Sequence, residues 1–466
     1  MAETQIRSLR SEEELKEGVS SLRTEVSSAP LLFEHFMVIG PTIESGVERA
    51  RALRGELHLS TSRARLSRRI SNIGSMLRRS FAPLTPATSS TNISTPVGSN
   101  SGSGRSFSDA PPSNHNPSNS PLKSAMDARL PVEPSIIYRF PEDAEAPPPE
   151  VVDFCLPLGG KLDYIKAEDE ELNAEEIFYG MGSNDHLSRC FIFILEDKNH
   201  HHHVEEIPCL RSNEEHGVDH NRLYGICVIH PRLLHVNSHL QGEREADSDG
   251  TCEYSFETQV CYAFITRFPL FDFFFSAISS MITAEKLERM ELKNNASSSD
   301  TNLFSNYTYI PRHLLEAVLH QIKNMQPPRY DSDLKIEFIR GMGIPPITIH
   351  RTRPSAGFPE YLQNALEWAL PALLRWLPVD RLVWLLSLLL CEVKVVVVGS
   401  EAGTVSCAVM SILALLRPIS WVAPLIPVLP LKYVEFVESP VPILAGVIID
   451  DEDGAWTPEN VLEKCE

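Results

Sequence analysis

The sequence lacks paired cysteines. Its 466 residues include nine cysteines, at positions 155, 190, 209, 227, 252, 261, 391, 407 and 465. No two of them have the spacing of a CxxC metal or redox motif. The odd number and scattered spacing exclude a disulfide framework and favour free thiols in a reducing compartment.

Positive charge is scarce. The chain has 42 Lys and Arg against 62 Asp and Glu, a formal net charge of −20, whereas nucleic-acid binding needs clustered cations. The charge therefore argues against nucleic acid as a partner of the chain as a whole. The N-terminus MAETQIRSLRSEEELKEGV also lacks the apolar core of a signal peptide, which predicts a cytoplasmic protein.

Long apolar runs without interruption are missing. Residues 381–399 contain Arg381, Glu392 and Lys394, and residues 406–432 contain four prolines. A membrane span needs about 20 nearly uninterrupted apolar residues. Both segments are therefore predicted to be buried core.

Motifs for covalent catalysis are missing too. The sequence has no nucleophile elbow, no HExxH motif and no spaced carboxylate pair. No catalytic, metal-binding or cofactor-binding residue is therefore assigned. The four histidines at 200–203 offer imidazole ligands, but consecutive side chains point in different directions, so a solvated loop is the favoured interpretation.

The loop GSEAGTVS, residues 399–406, joins a valine-rich strand to an apolar helix. A phosphate-binding loop needs GxxxxGK[ST], with a lysine for the phosphate charge. Here Gly399 and Gly403 are four residues apart, no lysine follows, and Glu401 places negative charge at the helix N-terminus, a position favourable for a carboxylate. A structural turn is favoured over a nucleotide site.

The segment WVAPLIPVLP, residues 421–430, has prolines at the period of a polyproline II helix. It could serve as a ligand of SH3-type domains. Because its other residues are mainly Leu, Ile and Val, a buried, extended crossing of the core is favoured.

The first part of the chain alternates between order and disorder. Residues 1–30 form a polar arm, and LLFEHFMVIG, residues 31–40, predicts a buried strand. Residues 41–134 are predicted to be a disordered insertion, first basic and then rich in Ser and Pro, because such composition buries too little apolar surface to offset chain entropy.

The basic part of that insertion, residues 47–81, holds nine arginines against two glutamates. Its apolar residues recur at helical spacing, which is typical of a helix at the surface of an anionic membrane. Ser71 and Ser80 each follow an arginine pair, and phosphates there would weaken such contact. A disordered basic linker is the equally weighted alternative.

Secondary structure is predicted from periodicity. Residues 187–197 and 221–231 read as two strands joined by a long polar loop, and residues 261–266 as a strand. Phe271, Phe274, Phe275 and Ile278 then follow the spacing of one helix face.

The second half alternates helices and strands. Helices are predicted at 311–325, at 361–377 with a leucine stripe, and at 380–390, and a short strand is predicted at 345–351. The strand at 392–399 is nearly all valine, which predicts a strand of a parallel sheet with both faces covered.

Taken in order, several blocks of the sequence resemble the upstream and central regions of DENN-domain proteins. They include LFEHFMVIG, YRFPE, FCLPLG, LYGICVI, ITRFPLFDFFFSAI and LLRPISWVAPLIPVLPLKYVEFVESPVPILAGV. The positions that carry the pattern are Gly40, Phe154, Pro157, Tyr224, Gly225, Arg267, Phe268, Pro269, Phe271, Trp421, Pro427, Leu429, Pro430, Pro440, Pro442 and Gly446.

The resemblance implies an α/β fold with two lobes. Residues 31–235 would form a longin-like upstream lobe with an antiparallel sheet, interrupted by the insertion at 41–134. Residues 253–450 would form a central lobe of three layers, α/β/α. Residues 451–466 would begin a downstream region.

The resemblance also implies a function. Many DENN proteins are guanine-nucleotide exchange factors for Rab GTPases in membrane trafficking, which predicts a Rab partner and a peripheral location on endomembranes. Glu401 and Glu438 are the candidate residues that face the GTPase. A scaffold that binds a GTPase or a trafficking complex without accelerating nucleotide release is one alternative, and a nucleotide-using enzyme built on 399–404 is another.

Overall fold

The computed structural model describes residues 31–50, 130–165, 186–196, 222–237, 253–295, 312–337, 344–355 and 358–449. Contacts divide the chain into Met1–Val47 with Arg129–Glu466 as one unit and Glu48–Ala128 as another. The sheets and the helices packed on them lie in the first unit. Residues 1–30, the histidines at 200–203, Ser71, Ser80 and residues 451–466 lie outside the described part.

A seven-stranded antiparallel sheet forms the first layer. Its strands are β1 (His35–Gly40), β2 (Leu130–Val132), β3 (Ser135–Phe140), β4 (Gly160–Ile165), β5 (Cys190–Glu196), β6 (Arg222–Asn237) and β7 (Glu253–Thr266). The long strand β7 is central: β1 and β4 pair with one side of it and β6 with the other. β5 pairs with β6 alone.

The predicted strands of this sheet are confirmed, but β7 is longer than expected. Periodicity indicated residues 261–266, a continuously buried run, whereas the strand begins at Glu253. Its first half, EYSFETQ, is mostly polar, although Phe256 and Thr258 are buried by pairing with β4 and β6. A polar half-strand of this kind gives no hydrophobic signal.

Besides the helical residues 43–50, seven α-helices are described. They are α1 (Glu150–Cys155), α2 (His186–Arg189), α3 (Phe271–Asn295), α4 (Arg312–Lys323), α5 (Glu360–Trp376), α6 (Val379–Leu390) and α7 (Ala402–Leu415). A two-stranded hairpin, β8 (Ser332–Ile336) with β9 (Ile347–Arg351), lies between α4 and α5.

α3 covers one face of the seven-stranded sheet. The predicted face of Phe271, Phe274, Phe275 and Ile278 is buried throughout. The Phe274 ring lies 4.8 Å from that of Phe264 on β7. The strand-then-helix prediction is therefore confirmed.

A second, parallel sheet has the order β10 (Val395–Gly399), β12 (Leu444–Ile448) and β11 (Leu425–Leu429). α7 contacts all three strands. On the other face, the 3-10 helix η1 (Leu431–Glu438) packs Val434 and Val437 against the sheet. The predicted parallel arrangement is confirmed.

The prediction that the valine strand is covered on both faces is wrong. β10 lies at the edge of the sheet, and only Val395 of its valines is buried. The fully buried strand is the central one, β12. Runs of valine do not distinguish a central strand from an edge strand.

Two other expectations need correction. The insertion was placed at 41–134, but residues 43–50 are helical and β2 pairs with β4, so only 51–129 lie outside the described part. The leucine stripe of α5 was expected to be buried, but Leu366 and Leu370 are half-buried, and small residues such as Ala365 and Ala369 fill the contact with α7.

No helix within the described stretches combines the length and apolarity that a membrane crossing requires.

Candidate functional site at the junction of the two sheets

The edge strand β5 and the helix α7 form the centre of the junction. Ile192 on β5 donates its backbone N–H to Ser406 Oγ at 3.1 Å, and that hydroxyl donates to Ile192 O at 3.2 Å. β5 has a strand partner on one side only, so these two backbone groups face α7. Ser406 on α7 therefore satisfies the two backbone groups of Ile192 at the free edge of the first sheet.

The end of α1 and the residues that follow it bind the start of η1. Asp153 Oδ2 accepts hydrogen bonds from Lys432 Nζ at 2.8 Å and from the Tyr433 hydroxyl at 2.7 Å. The bond to Asp153 raises the pKa of Tyr433. Pro157 O accepts from the backbone N–H of Leu431 at 3.0 Å.

Aromatic contacts reinforce this connection. The Phe154 ring lies between those of Phe193 on β5 and Tyr433 on η1, with centroid distances of 5.4 and 6.3 Å. Phe154 and Pro157 were identified from the family pattern, and both join the first sheet to η1. The pattern therefore marks contacts of the junction at this point.

Two glycines of the pattern allow close approaches. A Cβ on Gly225 would lie 2.0 Å from the Phe193 ring across the β5–β6 pair. A Cβ on Gly446 would lie 2.2 Å from Val405 Cγ1 and 2.4 Å from Pro427 O. Glycine at 446 thus lets α7 pack directly on the central strand β12. Gly40, at the end of β1, is less crowded, since its nearest atoms would be methyl groups at 3.1 Å.

The block around ITRFP fixes the turn from β7 into α3. Arg267 pairs with Glu34 at 2.6 Å, and Pro269 O accepts from the Asn364 amide at 2.6 Å. Phe268 is buried. The Tyr224 ring lies 5.8 Å from Phe271, which ties β6 to α3.

Glu401 occupies the N-cap position of α7, as the sequence indicated. Its side chain is exposed and accepts a hydrogen bond from the Thr404 hydroxyl at 3.1 Å, and its backbone O accepts the first helical N–H, from Val405, at 3.1 Å. The carboxylate stands where the helix dipole favours an anion. The loop 399–404 is thus a strand-to-helix turn with its own acidic cap.

Glu438, the other candidate, lies near the opposite end of strand β10. It ends η1 beside Val437, whose backbone O accepts a hydrogen bond from Lys394 Nζ at 2.7 Å, and Lys394 precedes β10. Glu401 follows the other end of the same strand. At about 3.3 Å per residue, β10 extends roughly 16 Å between its end near Glu438 and its end near Glu401.

The segment 421–430 is extended but only partly buried. Pro427 and Leu429 are buried in and beside β11, as expected, and Pro430 precedes η1. Before them, Trp421 is half-exposed and Val422 is 92% exposed. The expectation of a crossing buried along its whole length is therefore wrong. Pro440 and Pro442 lie in the connection from η1 to β12.

An exposed apolar face on α5 and α6 was missed by the sequence analysis. Its members are each between 48% and 63% exposed, and we call them the α6 face: Leu374, Trp376, Val379, Val383, Trp384 and Leu390. Only Leu382 and Leu389 of α6 are buried. The apolarity of this segment was read as burial, because apolar composition does not show which face of a helix is covered.

Comparison with known protein families gives a match to part of this fold. The DENN (AEX-3) domain family matches residues 257–462. The matched segment contains most of β7 and the whole parallel sheet, so it shares its first strand with the seven-stranded sheet. A search of curated proteins gave no match. The chain contains a DENN (AEX-3) domain over these residues, which confirms the resemblance that the order of its sequence blocks predicted.

Proposed function

We propose that this DENN-domain protein is a guanine-nucleotide exchange factor that promotes GDP release from a Rab-type small GTPase. The observation that carries the proposal is the family match across residues 257–462, because DENN domains are generally associated with Rab exchange. The proposal needs no catalytic acid, base or nucleophile, and the pattern-bearing residues described above serve packing rather than bond chemistry.

Exchange of this kind is a matter of differential binding. A factor accelerates release when it binds the nucleotide-free GTPase more tightly than the nucleotide-bound form. Such a factor needs a surface that keeps its shape while the GTPase changes. The contacts of Ser406, Asp153 and Phe154 hold the two sheets within one contact unit, which supports a rigid template.

We infer that the α6 face receives the GTPase. It lies inside the DENN segment, and its apolar members lie at the end of α5 and along α6. Large exposed apolar patches on soluble domains mark interaction surfaces. Two tryptophans, Trp376 and Trp384, belong to it, and tryptophan is enriched among residues that dominate binding energy.

The experiment compares GDP release by the wild-type chain and by the double variant Val383→Ser with Trp384→Ala. Both side chains are about 60% exposed, so the fold should survive their loss. We expect release from the responsive Rab to slow about tenfold or more, as loss of one strong contact implies. Val422→Ser, which removes an isolated and more exposed valine, is the matched control and should leave release unchanged.

The outcomes separate the hypotheses. Unchanged release by the double variant would remove the α6 face as the GTPase surface while leaving exchange itself standing. A Rab that binds the wild-type chain without faster GDP release would replace the exchange proposal with a scaffold function.

A further inference from the structure

Three cysteine thiols meet in the core between α1 and the seven-stranded sheet. Cys155 is the last residue of α1, Cys227 lies in β6 and Cys261 in β7. None of the three is exposed, and their Sγ atoms all lie within 4.8 Å of one another. The Cys155 and Cys227 sulfurs are 3.9 Å apart. The sulfur atoms of three separate elements, which are soft donors, thus lie close together in the core.

The strand register explains two of these positions. Cys227 pairs with Ala263 and Cys261 with Ile229 across the β6–β7 ladder. The two cysteines are therefore diagonal neighbours on the same face of the sheet. α1 packs on that face and adds Cys155 from above.

The distance between the Cys155 and Cys227 sulfurs fits binding to one shared atom better than a disulfide. A disulfide requires sulfurs about 2 Å apart. Three thiolates at about 2.3 Å from a shared centre would lie about 4 Å from one another. The Cys155–Cys227 distance of 3.9 Å is close to this value, which holds for three sulfurs in one plane with the centre, and a pyramidal trivalent centre would draw the sulfurs closer together.

The residues around the three thiols limit which metal or metalloid they can bind. Among the described residues, no fourth His, Cys, Asp or Glu donor joins the group, whereas structural zinc sites have four ligands. The neighbours, which include Ile39, Val151 and Phe193, are apolar. Burial raises the pKa of the Cys227 and Cys261 thiols, which favours their neutral form. At Cys155 burial acts in the same direction, but hydrogen bonds with these two thiols outweigh it and lower the pKa of that thiol to about 6. A charged complex would be costly in this environment.

We propose that Cys155, Cys227 and Cys261 form a binding site for a trivalent, three-coordinate thiophilic metalloid, for which arsenite is the probe. Three As–O bonds of As(OH)₃ and the S–H bonds of the thiols break, three As–S bonds and three O–H bonds form, and three water molecules leave. Where Cys155 is a thiolate, the third proton comes from solvent. No electron is transferred and no net charge is created. The product is neutral, which suits the apolar site.

Binding would tie α1 to β6 and β7 at the junction. α1 is six residues long and carries Asp153, which holds Lys432 and Tyr433 of η1. Short elements open locally at lower free energy than a core strand, so displacement of α1 gives arsenite its route to the buried thiols. Once formed, the complex stabilises the folded state by mass action.

The test uses the full chain with its other accessible or undescribed thiols removed by Cys209→Ser, Cys252→Ser, Cys391→Ser and Cys465→Ser. The folded protein is incubated with arsenite and desalted, and arsenic per chain is measured by mass spectrometry. X-ray absorption then counts the sulfur neighbours of arsenic. We expect one arsenic per chain, three sulfur neighbours and a raised melting temperature.

Single substitutions assign the site. Cys155→Ala, Cys227→Ala and Cys261→Ala should each abolish the three-sulfur signal, while Cys190→Ala and Cys407→Ala, at two other buried cysteines, should leave it intact. Circular dichroism checks that each variant is folded. No arsenic retained by the folded parent protein, or fewer than three sulfur neighbours in it, overturns the proposal without reference to any core variant.

Discussion

Ser406 on α7 and Ile192 on β5 exchange two hydrogen bonds, at 3.1 and 3.2 Å, across the junction of the two sheets. All the groups involved are buried. Ser406→Ala would leave both backbone groups of Ile192 without this partner. We expect a loss of about 2 kcal/mol in the free energy of unfolding, measured by urea denaturation.

Ser411 provides the control on the same helix. It is also fully buried, but its hydroxyl has no hydrogen-bond partner among the described residues. Ser411→Ala should therefore be neutral or stabilising. Equal losses for both serines would show that the Ser406–Ile192 bonds contribute nothing beyond helix packing.

The ion pair of Arg351 and Glu360 connects β9 to the start of α5. Its Nε–Oε1 distance is 2.7 Å, and the two side chains are only 1% and 7% exposed. Arg351 also donates to Pro328 O at 2.9 Å. Arg351→Met would leave a buried carboxylate unpaired, so we predict a destabilisation of about 3–5 kcal/mol, measured by chemical denaturation.

An exposed pair in the same region gives the matched control. Arg353 lies 3.3 Å from Asp331, and both side chains are largely exposed. Arg353→Met should cost less than about 1 kcal/mol. A similar loss at both arginines would contradict the role of burial.

Lys286 on α3 makes stability depend on pH. Burial, with the nearby Arg189 cation as a smaller cause, lowers its pKa from 10.5 to about 8. Between these two values the unfolded chain binds a proton that the folded chain does not, so this lysine makes stability rise with pH across that window. Below about pH 8 the folded protein carries the cost of a buried charge.

Lys286→Met should therefore raise the melting temperature at pH 7 and flatten its rise between pH 8 and 10.5. The exposed Lys335 serves as control, since Lys335→Met removes a solvated charge. Differential scanning calorimetry over that pH range measures both. A lower melting temperature for Lys286→Met at pH 7 would contradict the assignment.

Glu401 and Glu438 remain candidates for contact with the GTPase, and their positions near opposite ends of β10 require separate tests. Charges on the rim of an interface act mainly on association rate. We predict that Glu401→Lys and Glu438→Lys each slow GTPase association at low salt. Stopped-flow binding measures this, with the exposed Glu435→Lys as control. Association rates equal to wild type for both would remove them as contacts.

Secondary structure was largely predictable because most elements carry a clear period. The face of Phe271, Phe274, Phe275 and Ile278 has helical spacing, and Pro378 ends α5. Hydrophobic periodicity did not predict strands or burial where pairing with neighbouring strands determines them. The polar half of β7 is a strand because two neighbours pair with it, and the valines of β10 are partly exposed because that strand has only one neighbour.

The junction was predictable only as a list of pattern-bearing positions. Phe154, Pro157 and Gly446 were singled out, but which surfaces they join depends on contacts between residues far apart in the sequence. Ser406 and the three core cysteines were not assigned roles, because a serine within an apolar helix and scattered cysteines have no local signature. The α6 face was missed because apolar composition alone does not distinguish a buried helix from an exposed one.

The most direct test of the account is release of fluorescent GDP from a panel of Rab GTPases in the presence of the wild-type chain. Exchange activity predicts that one or a few Rabs release GDP about tenfold faster or more, and that the double variant at Val383 and Trp384 loses that acceleration. If no Rab releases GDP faster, including any Rab that binds the chain in a pull-down, the protein is not an exchange factor for the GTPases tested and the central claim is contradicted.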